Sequence, residues 1–344
     1  MALQILDAQA TSGAAVLQAV ARSVTLPPPE QFHCQLDHQP GFLVPSRLMP
    51  APLDPCKLHR LIVNPRCWFS KSGRPPDELL TYAPLFENFH WGAEGVIVGD
   101  DVSKSVLPYS FGSVYRALAE ELRPGDPLPR GLPSPVIEAL NAARVIIVPE
   151  DEQARREAWG QTLAWCSKMF SDSGYAPIAG LLHPFHIGAL RRYYRHLVRK
   201  GRLVLGDRQS SKRFVAHNET ATRFFHHQLT SAVSAIAGEP VKPSYVYVAS
   251  YLSGAELPRH TDRPQCEFSV TLLIDCSPEP EVESPWPIHL ETGSGLATVF
   301  QAIGDGLVYR GRTLPHLRRP QPSGFNSTSI FLHYVSASFN GPLL

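Results

Sequence analysis

The chain has 344 residues, of which 18% are charged and 43% hydrophobic, and its formal net charge is +1. That balance is globular and excludes a disordered or fibrous chain. The near-neutral charge excludes the broad basic surface that nucleic-acid backbone binding needs, and the length leads us to expect two domains, or one barrel with a long N-terminal extension.

The six cysteines, at 34, 56, 67, 166, 266 and 276, lack the close pairs of a zinc ribbon or redox dithiol, so free thiols in a reducing compartment are expected. No apolar run approaches the roughly 20 residues that span a bilayer. The first residues lack the cationic start of a secretory signal. A cytoplasmic protein with neither membrane nor nucleic-acid partners is the expectation.

In chain order, residues 1–30 read as a mildly helical extension ending at Leu26-Pro27-Pro28-Pro29, which forces an extended linker because proline lacks the helical donor. Residues 31–175 read as an N-terminal module of unknown role. Its apolar residues are interrupted by Pro, Gly and Asn. A helix is expected from Ser113 to Leu122, stopping before Arg123-Pro124-Gly125. Another, from Pro135 to Ala143, runs into a strand over Arg144 to Pro149, and a polar helix-rich stretch follows from 151 to about 172.

The character changes at His183-Pro184-Phe185. A helix over Ile187 to Lys200 carries Arg191, Arg192, Arg195, Arg199 and Lys200, which read either as a solvated face or as an attractor for an acidic substrate. A second helix is expected over Thr220 to Ile236, ending at Gly238. Beyond it the pattern is strands: Ser244–Tyr251, Glu267–Ile274, Ile288–Leu290, Gly306–Tyr309 and Ser327–Val335. Helices followed by many short strands suggest an α+β domain at 176–344, a double-stranded β-helix (jelly-roll) barrel braced by helices, with the N-terminal module separate.

Within it stands Arg259-His260-Thr261-Asp262, and Pro315-His316 lies 54 residues beyond Asp262. Two His and one carboxylate make the facial triad that leaves coordination positions open on Fe(II). Along an extended strand residues i and i+2 share a face, so His260 and Asp262 can converge on one ion while His316 arrives from a distant strand. Two other triplets compete. His217-Asn218-Glu219 abuts a helix start, where i and i+2 diverge by about 200°. His289-Leu290-Glu291 lies in a plausible strand, and parity leaves it open.

Around the first triplet runs Tyr251-Leu252-Ser253-Gly254-Ala255-Glu256-Leu257-Pro258-Arg259-His260-Thr261-Asp262, and before His316 comes Gly304-Asp305-Gly306-Leu307-Val308-Tyr309-Arg310-Gly311. These segments resemble the 2-oxoglutarate/Fe(II)-dependent dioxygenase superfamily, of the prolyl-hydroxylase-like kind. Asp262 to Ser269, Pro285 to Ile288 and Phe331 to Tyr334 are similar to a little-described bacterial branch of it. The resemblance covers roughly residues 180–340 and implies a jelly roll, Fe(II) held by His260, Asp262 and His316, and 2-oxoglutarate as co-substrate. It departs at one point: where many members carry an Arg about ten residues after the distal His, this chain has Gly324-Phe325-Asn326.

Arg318 and then Arg319 are the candidates to supply the missing cation, Arg318 sharing strand parity with His316; the alternative is a solvent-facing pair. Tyr251 either donates a hydrogen bond to 2-oxoglutarate or fills the core. Ser327, Thr328 and Ser329 occupy the strand that in the superfamily lines the co-substrate pocket. His333 reads as a core histidine or, close to the site, as a proton or substrate contact; Cys266 reads as buried and inert; and Glu267 reads as a structural ion pair before a substrate contact.

The function implied is hydroxylation, by molecular oxygen and 2-oxoglutarate, of an unactivated C–H in an amino acid, peptide or related small molecule. Two alternatives stay open: a non-catalytic jelly-roll binding protein, and an iron oxygenase independent of 2-oxoglutarate.

Overall fold

A computed structural model describes residues 32–36, 43–49, 51–70 and 95–343; the expected extension at 1–30 lies outside the described residues. The chain divides into two units: Met1–Phe42, Pro50–Asp101 and Val106–Arg155, then Leu43–Met49, Val102–Ser105 and Arg156–Leu344.

In the first unit, β1 (Ile62–Val63) is followed by β2 (Cys67–Ser70), β3 (Gly95–Asp100) and β4 (Ser105–Ser110), then α1 (Ser113–Ala119), α2 (Ser134–Ala142) and β5 (Ile146–Ile147). Strands β2, β3 and β4 form a three-stranded sheet, and β1 pairs with β5. The run Val96-Ile97-Val98 of β3 is wholly buried. Beside it Arg155 Nη2 donates to Asp100 Oδ1 at 2.5 Å and to Glu152 Oε2 at 2.9 Å. The strand expected over Arg144 to Pro149 shrinks to two residues, because Pro149 opens α3 (Pro149–Ser173) with Glu150, Asp151 and Glu152 in its first turn. Carboxylates there complement the positive end of the helix dipole. The polar stretch is thus one helix of 25 residues, and the division between the units falls within it.

The second unit continues with β6 (Tyr175–Ile178), α4 (Pro184–Arg199), β7 (Val204–Leu205), β8 (Arg213–His217), α5 (Thr220–Gln228), α6 (Thr230–Ala237), β9 (Val241–Tyr251), β10 (Leu257–His260), β11 (Phe268–Ser277), β12 (Ile288–Thr292), β13 (Gly295–Val299), β14 (Gly306–Tyr309), β15 (His316–Arg318) and β16 (Asn326–Ser336). Pro184 opens α4 behind an N-capping His183 whose Nδ1 accepts from Phe185 N at 3.2 Å. The single helix expected over Thr220 to Ile236 breaks at Leu229 into α5 and α6. Gly238 ends α6 at φ 75°, a left-handed cap that suits glycine.

A seven-stranded sheet runs β6-β14-β11-β16-β9-β8-β7 and a four-stranded sheet β10-β15-β12-β13. The paired strands are antiparallel. The two sheets share core: Ile288 and Leu290 of β12 cluster with Leu307 and Tyr309 of β14, and Leu257 of β10 packs with Tyr247, Ala249 and Tyr251 of β9. The basic face of α4 is neither solvated nor open to a ligand at two of its arginines. Arg191, 2% exposed, donates to Asp275 at 2.8 Å and Glu279 at 2.6 Å, and Arg195 donates to Asp275 at 2.5 Å. No helix among the described residues is long and apolar enough to cross a membrane.

Candidate metal centre

The antiparallel register of β10 and β15 puts His260 opposite His316, with ring centroids 4.3 Å apart. Asp262 lies just past the end of β10. Its N–H donates to Gly311 O at 2.9 Å, and its Oδ2 accepts from Ser269 Oγ at 2.8 Å. Oδ1 is left 3.8 Å from His260 Nε2 and 3.7 Å from His316 Nε2, and these three donor atoms all lie within 4.8 Å of one another. Metal–ligand bonds of about 2.0–2.2 Å let two donors of one ion stand up to about 4.4 Å apart, so both carboxylate–imidazole separations suit a shared ion.

The second partner of each imidazole fixes its tautomer. His260 Nδ1 is 2.8 Å from Pro258 O and His316 Nδ1 is 2.9 Å from Leu314 O. A carbonyl can only accept, so Nδ1 carries the hydrogen and Nε2 presents its lone pair to the ion. Burial holds the His316 imidazole below its ordinary pKa, against the pull of Asp262, which favours the neutral, ligating form. The donor set and its tautomers fit a divalent ion of the Fe(II) type.

Local packing makes this carboxylate possible. A Cβ on Gly311 would collide with Asp262 Oδ2, Ser269 Oγ and Cys266 O, so only glycine lets the Arg310–Gly311 turn approach so closely. The competing triplets are engaged elsewhere. Asn218 turns left-handed at φ 51°, and Glu219 caps α5 by accepting from Ala221 N and Thr222 N. In β12 it is Leu290, not His289, that pairs with His316; His289 Nδ1 lies 3.0 Å from Thr298 Oγ1, and Glu291 pairs with Arg259 at 2.7 Å. Asp262, Cys266 and His333 form another grouping, which shares Asp262 with the triad; its Cys266 Sγ lies 3.1 Å from Tyr245 Oη, and burial pushes the free thiol up to about 12.

A cavity of about 490 Å³ opens on the triad. Arg318 lines it, 5% exposed. Its Nη1 donates to Trp286 O at 2.6 Å, its Nη2 to Gln301 Oε1 at 3.0 Å, and its guanidinium lies 4.7 Å from the Trp286 ring centroid. These partners are neutral, and no carboxylate pairs with Arg318 among the described residues. Burial lowers its pKa, while the phenols of Tyr251 and Tyr309 act in the opposite sense.

The remaining candidates are spread out. Tyr251, 1% exposed, lines the cavity and accepts from Arg213 Nη1 at 3.1 Å. His333 is buried and also lines it, with Nδ1 3.0 Å from Ser269 Oγ. Arg319 does not line it; its carbonyl accepts from Trp286 Nε1 at 2.5 Å. None of Ser327, Thr328 and Ser329 lines the cavity: Ser327 Oγ is hydrogen-bonded to the Gln321 amide at 3.0 Å and Thr328 Oγ1 to Ser250 Oγ at 2.6 Å. Glu267 accepts from Ser336 N at 3.1 Å and enters no ion pair among the described residues.

Sequence reasoning missed one wall. Arg213 of β8 is 3% exposed and donates to Asp207 Oδ2, which also accepts from Tyr247 Oη. Burial opposes ionisation of Asp207, but these donors outweigh it and hold the carboxyl down at about 2. Asp207 is six residues away in the β7–β8 turn, but Tyr247 and Tyr251 reach this wall only through the β8–β9 pairing, which no local pattern around Arg213 announces.

No protein-family model and no curated protein matches the chain. Solved structures do. The non-haem α-ketoglutarate-dependent epimerase SnoN from nogalamycin biosynthesis is 15% identical at a TM-score of 0.44, the alignment covering 52% of this chain and 84% of that one. A Pseudomonas putida prolyl-4-hydroxylase is 17% identical at 0.42, covering 51% and 100%. A Trichoplax adhaerens prolyl hydroxylase, solved with a hypoxia-inducible-factor peptide, is 12% identical at 0.43, covering 52% and 92%. The solved structures that this chain is similar to include 2-oxoglutarate/Fe(II) oxygenases.

Proposed function

We propose that this chain is a 2-oxoglutarate-dependent Fe(II) oxygenase that hydroxylates a C–H of an amino acid, peptide or related small molecule. One observation carries the reading: two imidazoles with fixed tautomers and one oriented carboxylate converge on a cavity that also holds a buried guanidinium with no carboxylate partner among the described residues. We take the seven- and four-stranded sheets as the walls of a double-stranded β-helix. We take the first unit as a separate module, since the three ligands and the cavity's lining residues belong to the second. Six free cysteines suit a reducing cytoplasm.

His260, Asp262 and His316 hold the ion, and Arg318 receives the far carboxylate of 2-oxoglutarate, with Tyr251 as a neutral donor beside it. Bound there, Fe(II) would activate molecular oxygen, the oxidant, and 2-oxoglutarate would supply two of the four electrons that reduce it, leaving as succinate and carbon dioxide, while the substrate C–H supplies the other two. Gln301 and Trp286 fix the guanidinium without cancelling its charge, so it retains donors for an incoming carboxylate. Ser269 and Gly311 hold Asp262 at its angle.

The test measures iron content and oxygen uptake in purified protein with and without 2-oxoglutarate. About one Fe(II) per chain and 2-oxoglutarate-dependent succinate release are expected. Uptake that ignores 2-oxoglutarate points instead to an oxygenase independent of it, and bound zinc with no turnover points to a binding module.

A further inference from the structure

The cavity has a surplus of positive charge that the metal centre does not use. Four arginines line it, Arg208, Arg213, Arg263 and Arg318, against two carboxylates, Asp207 and Asp262. Arg213 is matched by Asp207. Neither oxygen of Asp207 is spare: Oδ1 accepts from Gln209 N at 2.9 Å and Ser210 N at 3.0 Å, and Oδ2 from Arg213 and Tyr247. On the reading above, Fe(II), Asp262, the 2-oxoglutarate dianion and Arg318 together sum to zero. Arg208 and Arg263 then remain, one from the β7–β8 turn and one from the segment after Asp262. Both are exposed, and no ion pair is formed by either among the described residues.

The contrast with a neighbour sharpens the point. Arg259, four residues before Arg263, is also exposed but is closed by a fork to Glu291, with both contacts at 2.7 Å. The cavity-facing arginine has no such closure. Field lines from one sign of charge concentrate in a low-dielectric cleft and draw in the opposite sign. The same cavity has an aromatic wall: Tyr247 and Phe331 have ring centroids 6.0 Å apart, and both line it.

We infer that the substrate is an organic oxyanion, a carboxylate or phosphate on an apolar or aromatic body, whose head group is held by Arg208 and Arg263 and whose body lies against Tyr247 and Phe331. The inference rests on the oxygenase reading, because that reading assigns Arg318 and the metal charge to the co-substrate. It makes Arg208 and Arg263 specificity-determining residues: a neutral analogue of equal shape enters the same cavity but finds two solvated guanidinium groups without a partner.

The test is calorimetric, on anaerobic Fe(II)-loaded protein with saturating 2-oxoglutarate, using 3-phenylpropionate, phenyl phosphate and the neutral 3-phenylpropionamide as probes. At least one anion is expected to bind about 10-fold more tightly than the amide, the size of one charge-assisted contact, and the better of the two identifies the head group. Arg208→Gln and Arg263→Gln should each lower that ratio, and the double variant should abolish it; both side chains are exposed, so the fold should tolerate the changes. Amide binding as tight as both anions, no probe binding, or an unchanged ratio in the double variant overturns the proposal. Titration of the parent with 2-oxoglutarate alone tests the other reading separately. If it does not bind, the co-substrate assignment fails, and the anion-to-amide ratio is decided by the same outcomes on protein without it.

Discussion

Arg318 Nη2 donates to Gln301 Oε1 at 3.0 Å, so a neutral amide, not a carboxylate, holds the guanidinium of a 5% exposed arginine. An unpaired buried charge is costly, and an arriving anion recovers that cost. Gln301 is itself anchored through Nε2 to Thr271 O and Asp305 O, each at 3.0 Å. The cation is thereby held in place before any ligand arrives.

Arg318→Ala should weaken the 2-oxoglutarate response by roughly 10- to 150-fold, the worth of a charge-assisted contact of about 1.5–3 kcal/mol. Arg319→Ala should stay near the parent, since Arg319 does not line the cavity. The measurement is succinate formation against 2-oxoglutarate concentration, with iron content checked in both variants. Identical saturation curves for Arg318→Ala and the parent would place the clamp elsewhere.

Asp262→Ala should lose most metal affinity and all turnover, while His289→Ala and Glu291→Ala retain the ion. The reason is register: Leu290 pairs with His316, which sends His289 to the opposite face of β12. Metal analysis of the three variants after gel filtration decides. Iron lost from His289→Ala but kept by Asp262→Ala would reverse the ligand assignment.

Strand parity made much of this legible. His316 and Arg318 stand two apart within β15, and a local rule suffices to put that pair on one face; Asp262 lies past the end of β10, and its place beside His260 is set by Gly311 and Ser269. The long strands and α4 announce themselves by apolar periodicity over ten or more residues. What escaped depends on pairing between distant segments. Whether His289 or His260 meets His316 is set by which strand lies beside β15 and in what register, which no local pattern encodes. The hydroxyls of Ser327 and Thr328 are taken up by Gln321 and Ser250, and the Asp207–Arg213–Tyr247 wall joins a turn to two strands. Strands β6, β7, β10, β13 and β15 have two to five residues each, too few for periodicity to show.

Ser269→Ala should cut metal affinity by about 10- to 100-fold while leaving the fold intact, as loss of a hydrogen bond to a ligating carboxylate does. The motive is the 2.8 Å bond from Ser269 Oγ to Asp262 Oδ2, which aims Oδ1 at the two imidazoles. Gly311→Ala should have a larger effect, because its methyl would displace the same carboxylate. Competition against a chelator of known affinity gives both numbers. A Ser269→Ala protein that binds metal like the parent would mean that the Gly311 contacts alone orient Asp262.

Acid stability should depend on His226. This α5 residue is 2% exposed, and its Nε2 lies 2.7 Å from His333 O; the carbonyl accepts, so Nε2 carries the hydrogen. Burial pushes the imidazole down to about 3, against about 6.5 in an unfolded chain. Between those values the unfolded chain binds the extra proton and the folded chain does not. The contribution is therefore whole above about pH 6.5 and is lost as pH falls, at up to about 1.4 kcal/mol per pH unit from this group. His333, held at about 4 by burial, adds a loss of the same sign, so the parent alone cannot isolate His226. His226→Gln keeps a donor for the carbonyl and removes the titration. Urea midpoints from pH 7 to pH 5 should fall less steeply in this variant than in the parent, and equal slopes would remove the buried neutral imidazole as a source of acid sensitivity.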